Sequence, residues 1–163
     1  MSLPNRDALT FMRIDSPIGP LRAGASRASL QVLEFADAPR AEGASVWHPI
    51  LDQLQCELGE YFAGKRRVFD VPLSYRGSAF QERVWGALRK IEYGQTVSYI
   101  EQARWIGEEE AVRAVAQANG QNPISILIPC HRVVNADGKL GGYGGGLLRK
   151  QFLLDLERGD RLL

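Results

Sequence analysis

The chain has 163 residues, 45% of them apolar, with a net charge of +1; that suits one compact unit or two small ones. Two cysteines, Cys56 and Cys130, and two histidines, His48 and His131, cannot build a disulfide framework or a four-ligand zinc site. A reduced, cytoplasmic protein with no metal and no cofactor is therefore expected. Residues 1–14 carry charges throughout, where a signal peptide needs an apolar stretch. The longest apolar run, Ile124 to Pro129, falls far below the roughly 20 residues that span a bilayer, so no membrane partner is expected. Nine basic and nine acidic residues precede Gly77, and eleven basic and ten acidic follow from it. Neither half has the electrostatic footprint of a typical duplex binder, so any nucleic-acid site must be local.

In chain order, Leu9 to Ile14 and Leu30 to Phe35 read as strands, with a turn over Ser16-Pro17-Ile18-Gly19-Pro20, and predict a small antiparallel sheet. A helix is predicted from about Trp47 to Phe62. Pro49 suits a first helical position, and Leu51, Leu54, Leu58, Tyr61 and Phe62 recur at helical spacing. Gly64 stops that helix, and Val68 to Val71 reads as another strand. Leu73 to Gly77 is the expected linker between an α/β domain over 1–76 and a mainly helical domain over 77–163.

Ser78 and Gln81 form a capping-box pattern, followed by Phe80, Val84, Leu88 and Ile91 on one helical stripe. Ser98 and Glu101 repeat the pattern at the head of a short helix, which Gly107 breaks before a third helix over about Glu109 to Ala118. A short helix, a glycine turn and a second helix resemble a helix-turn-helix. In the third helix Ala111, Val115 and Ala118 share one face, which leaves Arg113 and Gln117 on the opposite one. By spacing alone that is an ordinary surface helix with a solvated arginine.

Ile124 to Ile128 reads as a short buried strand ending in Pro129-Cys130-His131-Arg132-Val133. A free cysteine is commonly a small buried hydrophobe, and neighbours on a strand point to opposite faces, so Cys130 beside His131 is weak as an isolated signal. The context is stronger. Asn122-Pro123 precedes the run, and a glycine cluster from Gly141 to Gly146, containing Tyr143, follows it.

Together with the helix-turn-helix pattern, these residues closely resemble the O6-alkylguanine-DNA alkyltransferase family, whose hallmark is Pro-Cys-His-Arg-Val. The resemblance runs from about Phe80 to Glu157, and the first half matches in outline the ribonuclease-H-like domain of such proteins. It implies DNA repair by one irreversible transfer of the alkyl group from O6-alkylguanine to Cys130, with O4-alkylthymine left open as a second substrate. His131 would be the water-linked activator, Glu157 the carboxylate that orients it, and Asn122 the brace of the active-site turn. Tyr99 would donate to the flipped guanine, while Val133, Tyr143, Gly144, Gly145 and Lys150 would surround the base and its alkyl group. Many relatives carry a hydroxyl residue at the position of Gly144. Arg113 would fill the base stack, with Ser98 and Gln117 beside it on the DNA. The implied partner is double-stranded DNA containing an alkylated guanine, met by a monomer, with cooperative assembly along DNA left open.

Chemically, a thiol with a pKa of about 8.5 is only a few per cent thiolate at neutral pH, so a base and an orienting acid are expected to raise that fraction. Three other readings compete. A helix-turn-helix transcription factor would need a basic recognition helix, which Glu108, Glu109 and Glu110 oppose. A cysteine hydrolase using Cys130, His131 and Glu157 would turn over repeatedly. A non-catalytic relative that only binds alkylated DNA would lack Cys130.

Overall fold

The computed structural model describes residues 8–37 and 47–160, and the chain divides into two compact units, Met1–Ser74 and Tyr75–Leu163. The first holds a three-stranded antiparallel sheet in the order β1 (Thr10–Ile14), β2 (Leu21–Ala25), β3 (Leu30–Phe35). β2 is the central strand and was not visible as a strand signal: its Ala, Gly and Ala residues have little β-propensity. Leu21, Ala23 and Ala25 alternate at period two and are fully buried, which makes it the core of the sheet.

Helix α1 (Pro49–Phe62) begins as expected with proline in its first turn, capped by His48, whose Nδ1 accepts from Leu51 N at 3.3 Å. Its predicted stripe, Leu51, Leu54, Leu58, Tyr61 and Phe62, is buried, and Cys56 is exposed. The strand expected over Val68–Val71 does not form. The buried carboxylate of Glu57 accepts the backbone N–H groups of Asp70 (2.7 Å) and Val71 (3.3 Å), so amides that a neighbouring strand would bind are bound by a side chain instead. Only Leu73 makes an isolated parallel bridge, to Leu30.

The second unit opens with α2 (Ala79–Leu88), and the capping box is present: Gln81 N donates to Ser78 Oγ at 3.1 Å and Ser78 N to Gln81 Oε1 at 2.9 Å. Val84, Leu88 and Ile91 are buried as the stripe predicts. Next come β4 (Val97–Ser98), α3 (Tyr99–Trp105), a 3-10 turn over Glu109–Ala111 and α4 (Val112–Gly120), so the third predicted helix is split at its start. Gly107, at φ +72°, makes the reversal between α3 and α4, a conformation that an L side chain resists. Val115 and Ala118 face inward while Arg113 and Gln117 are exposed, as their spacing requires. A parallel pair of two-residue strands, β4 with β5 (Val133–Val134), and the long α5 (Leu147–Arg158) complete the unit. Among the described residues no helix is long and apolar enough to cross a membrane.

Three side chains fix α4. Trp85 Nε1 donates to the Ala118 carbonyl at 2.8 Å, and the buried amides of Gln102 and Asn119 bond each other reciprocally at 2.8 and 2.7 Å. Gln102→Leu leaves the Asn119 amide unsatisfied and should destabilise the unit by about 1–3 kcal/mol, seen as a lower urea midpoint. Replacing both amides by leucine should recover part of that loss, and an unchanged midpoint in the single variant would count against the pairing.

Candidate active site

The apolar run Ile124–Ile128 is not the expected strand but a tight turn. Pro123 and Pro129 fence it with residues that lack an N–H, and Ile128 N bonds back to Ile124 O at 3.0 Å. Ile126 sits at φ +72°, strained for a β-branched residue, yet its side chain is buried with those of Ile124 and Ile128. Asn122 braces the turn from one end to the other. Its Oδ1 accepts from Ile124 N at 2.9 Å, and its Nδ2 donates to Ile128 O at 2.6 Å and to Cys130 Sγ at 3.3 Å. The chain then enters a 3-10 turn, Cys130–Arg132, so the thiol and imidazole follow one another around a helical turn rather than on opposite faces of a strand.

His131 is fully buried, and its Nε2 meets Glu157 Oε2 on α5 at 2.7 Å. Its Nδ1 is buried with no protein hydrogen-bond partner among the described residues, which leaves that nitrogen able to accept a proton. Burial lowers the His131 pKa below its usual value, against the pull of Glu157, so the ring is neutral at pH 7 and able to accept a proton. Burial by itself would raise the Glu157 carboxyl, but His131 and Arg132 outweigh it and hold the group ionised well below the usual carboxylate range.

Cys130 differs from expectation. Burial pushes its thiol up, and the Asn122 hydrogen bond and the nearby Lys150 charge offset this only in part. The resting side chain is therefore a thiol, and a base must act during transfer rather than store a thiolate beforehand.

Cys130 opens on a cleft of about 510 Å³ whose walls include Tyr99, Arg113, Asn119, Gly120, Gly142, Tyr143 and Gly144. The Tyr99 hydroxyl donates to the Gly142 carbonyl at 3.3 Å. Gly141, at φ +70°, passes so close to the Tyr99 ring that an added Cβ would stand 3.0 Å from its hydroxyl. Lys150 is buried, and its ammonium is enclosed by the carbonyls of Val133 (2.6 Å), Leu140 and Gly142 (3.0 Å). Burial brings its pKa down to about 8.

The structure thus ties Asn122 to Cys130 and His131 to Glu157 at one turn, and brings Tyr99, Arg113, Tyr143 and Gly144 onto one cleft. Other expected contacts lie elsewhere. Lys150 and Val133 do not line the cleft; one staples the glycine loop, and the other is buried in the β4–β5 pair. Gly145 gives its carbonyl to Arg149 at 3.2 Å. Ser98 is buried as the cap of α3, its hydroxyl shared between Glu101 N and Glu101 Oε1, both at 3.1 Å, and this commits it away from a DNA backbone. Gln117 is exposed on α4 outside the cleft lining.

Two residues had no assigned role from sequence. Arg132 is buried and holds Glu157 through Nε at 2.7 Å. Asn119 joins the cleft wall to the buried amide pair. Arg132 stood inside the five-residue motif, so its position was visible although its partner, 25 residues later, was not.

Residues 79–159 match the family model described as 6-O-methylguanine DNA methyltransferase, DNA binding domain. A methylated-DNA–protein-cysteine methyltransferase of Mycobacterium tuberculosis is 47% identical over 155 residues, which cover 91% of this chain and 92% of that protein. The protein of the same name from Methanosarcina acetivorans is 43% identical over 147 residues, 88% and 94% of the two chains. Among solved structures, Mycobacterium tuberculosis OGT in complex with DNA superposes with a TM-score of 0.84 at 45% identity, covering 93% of this chain and 94% of that one.

Proposed function

The chain belongs to the methylated-DNA–protein-cysteine methyltransferase family, which repairs DNA by alkyl transfer, and on that premise we propose that Cys130 accepts the alkyl group of an O6-alkylguanine extruded from duplex DNA. One observation carries this reading: a thiol on the wall of a base-sized cleft, next to a neutral imidazole that is backed by a buried carboxylate. Cys130 Sγ attacks the alkyl carbon as the bond from that carbon to guanine O6 breaks. The thiol proton passes to His131, and Glu157 stabilises the imidazolium formed. The charge released onto guanine is met by the Tyr99 hydroxyl and by the backbone N–H of Gly144, and the proton ends on the base. The thioether product carries no leaving group that water could displace under these conditions, so each chain acts once.

Residues 77–163 bind the DNA and accept the alkyl group, and residues 1–76, with their antiparallel sheet and helix, are the ribonuclease-H-like companion. The thiol, base and cleft all lie in one chain, which supports a monomer, and a nucleophilic cysteine that must stay unoxidised supports the cytoplasm. Arg113, exposed on α4 at the cleft, fills the stack when the nucleotide leaves it, an extrusion that costs a few kcal/mol.

A duplex oligonucleotide carrying O6-methylguanine, titrated with protein, should regain guanine at one methyl per chain with no turnover. Continued repair beyond that ratio would instead favour a hydrolase. Arg113→Ala should slow repair of the duplex roughly tenfold or more and barely change the rate with free O6-benzylguanine, because only the duplex requires extrusion. Equal losses on the two substrates would remove the stack-filling role.

A further inference from the structure

The turn that presents Cys130 and His131 ends on an arginine whose every assigned contact points inward. Arg132 Nε donates to Glu157 Oε1 at 2.7 Å, Nη2 to Glu157 Oε2 at 3.1 Å, and Nη1 to the Ile91 carbonyl at 2.6 Å. Glu157 Oε2 is also the oxygen that meets His131 Nε2 at 2.7 Å. One buried carboxylate therefore serves two nitrogen bases, of which one is permanently charged.

We propose that Arg132 is a positioning residue that sets the proton affinity of His131, by holding the Glu157 carboxylate between them so that the imidazole is unprotonated until alkyl transfer begins. The inference rests on Cys130 as the acceptor and His131 as its base. A buried imidazole with only a carboxylate beside it is drawn toward the ion pair, and an imidazolium cannot take the thiol proton. A guanidinium keeps its proton across the working range, so Arg132 supplies a standing positive charge that satisfies Glu157 and opposes a second cation alongside.

The ionisable groups around His131 come from three places. Its own turn contributes Cys130 and Arg132, α5 contributes Glu157 and Lys150, and the segment after α2 places the Tyr93 ring 5.9 Å from the Arg132 guanidinium and the Gly94 N–H 3.4 Å from Glu157 Oε1. Tyr143, on the cleft, is coupled to both Cys130 and Glu157. Among these groups one anion faces two cations. Lys150 loses its proton near pH 8 and is enclosed by carbonyls, so Arg132 is the constant member. Burial first, then Arg132 and Lys150, act against Glu157 to keep His131 below its ordinary pKa, which agrees with the geometry.

The test combines NMR titration of the His131 ring with the pH–rate profile for O6-benzylguanine, in wild type, Arg132→Gln and Arg132→Lys. The chain has two histidines, so the His131 ring resonances can be told from those of His48 by a His48 variant. Arg132→Gln should raise the His131 midpoint by about one unit and shift the acidic limb of the rate profile with it. The variant would then approach a roughly tenfold deficit only on the acidic limb, below both midpoints, and stay close to wild type at about pH 8.5. Arg132→Lys, which keeps the charge but loses the fork, should move both in the same direction by less. If the Gln variant does not fold, the titration of the Lys variant decides. An unmoved His131 midpoint, or a rate loss equal at every pH, overturns the proposal and leaves Arg132 a purely structural clamp. Failure of the underlying reading shows separately, as the absence of any benzyl adduct on Cys130 in the wild type.

Discussion

Cys130→Ala should bind alkylated duplex as well as the wild type and form no thioether at all. The thiol is the proposed nucleophile, and nothing else on the cleft wall can replace it, since a tyrosine hydroxyl with a raised pKa is a far poorer one. The fold should tolerate the change. Asn122 loses one acceptor but keeps its bonds to Ile128 O and Ile124 N, which brace the turn. Cys56, exposed on α1 and outside the cleft lining, should not substitute. Gel-shift affinity for an O6-methylguanine duplex and intact mass after incubation read the two halves of the prediction. A methyl adduct on the variant would mean that the wrong sulfur has been chosen.

Glu157→Gln should be the most damaging conservative change, affecting both stability and rate. It leaves the buried Arg132 guanidinium facing a neutral amide, and removing one partner of a buried ion pair typically costs about 3–5 kcal/mol. The sign with pH follows from the depressed carboxyl. The stabilisation is fully present above the unfolded pKa of about 4.3 and is lost progressively as pH falls from there toward the much lower folded value, so the stability gap to the variant should narrow in acid. Melting of both proteins from pH 7 down to pH 3 checks this.

In transfer, the variant loses the anion that stabilises the imidazolium, and the rate should fall by about two orders of magnitude near neutrality, the lower end of what general bases supply. Burial holds the Cys130 thiol above its ordinary range. Ionisation of the unassisted thiol is therefore displaced to more alkaline pH, and the deficit should persist past neutrality and narrow only in alkaline solution. A deficit that vanished by pH 8 would show instead that the relay works by lowering the resting thiol pKa.

Local signals were legible in the sequence wherever a single element determined the outcome. Ser78 with Gln81, Ser98 with Glu101, Pro49 and Gly107 each act within one turn, and each placed a helix end correctly. The apolar stripes of α1 and α2 did the same for burial.

Two misreadings share a cause: a side chain took over backbone bonds that a strand would have used. Glu57 binds the amides of Asp70 and Val71, 13 and 14 residues on, and turns a β-like segment into a loop. Asn122 and the two prolines convert an isoleucine-rich run into a turn. β2 went unseen because its alanines and glycine carry little propensity, and its place between two stronger strands supplies the pairing. At the site, the motif located Cys130 and His131, but the buried environment that keeps one a thiol and the other neutral depends on tertiary packing. Lys150 shows the same limit. The family resemblance implied a contact with the base, whereas the fold encloses its ammonium among the carbonyls of Val133, Leu140 and Gly142.

The most direct test of the central claim is intact mass, followed by peptide mapping, of the wild-type protein after incubation with excess O6-benzylguanine. One benzyl group per chain, on the peptide containing Cys130, with one equivalent of guanine released and no further reaction, is the expected result. Release of guanine beyond one equivalent, or a benzyl group on Cys56, would contradict it.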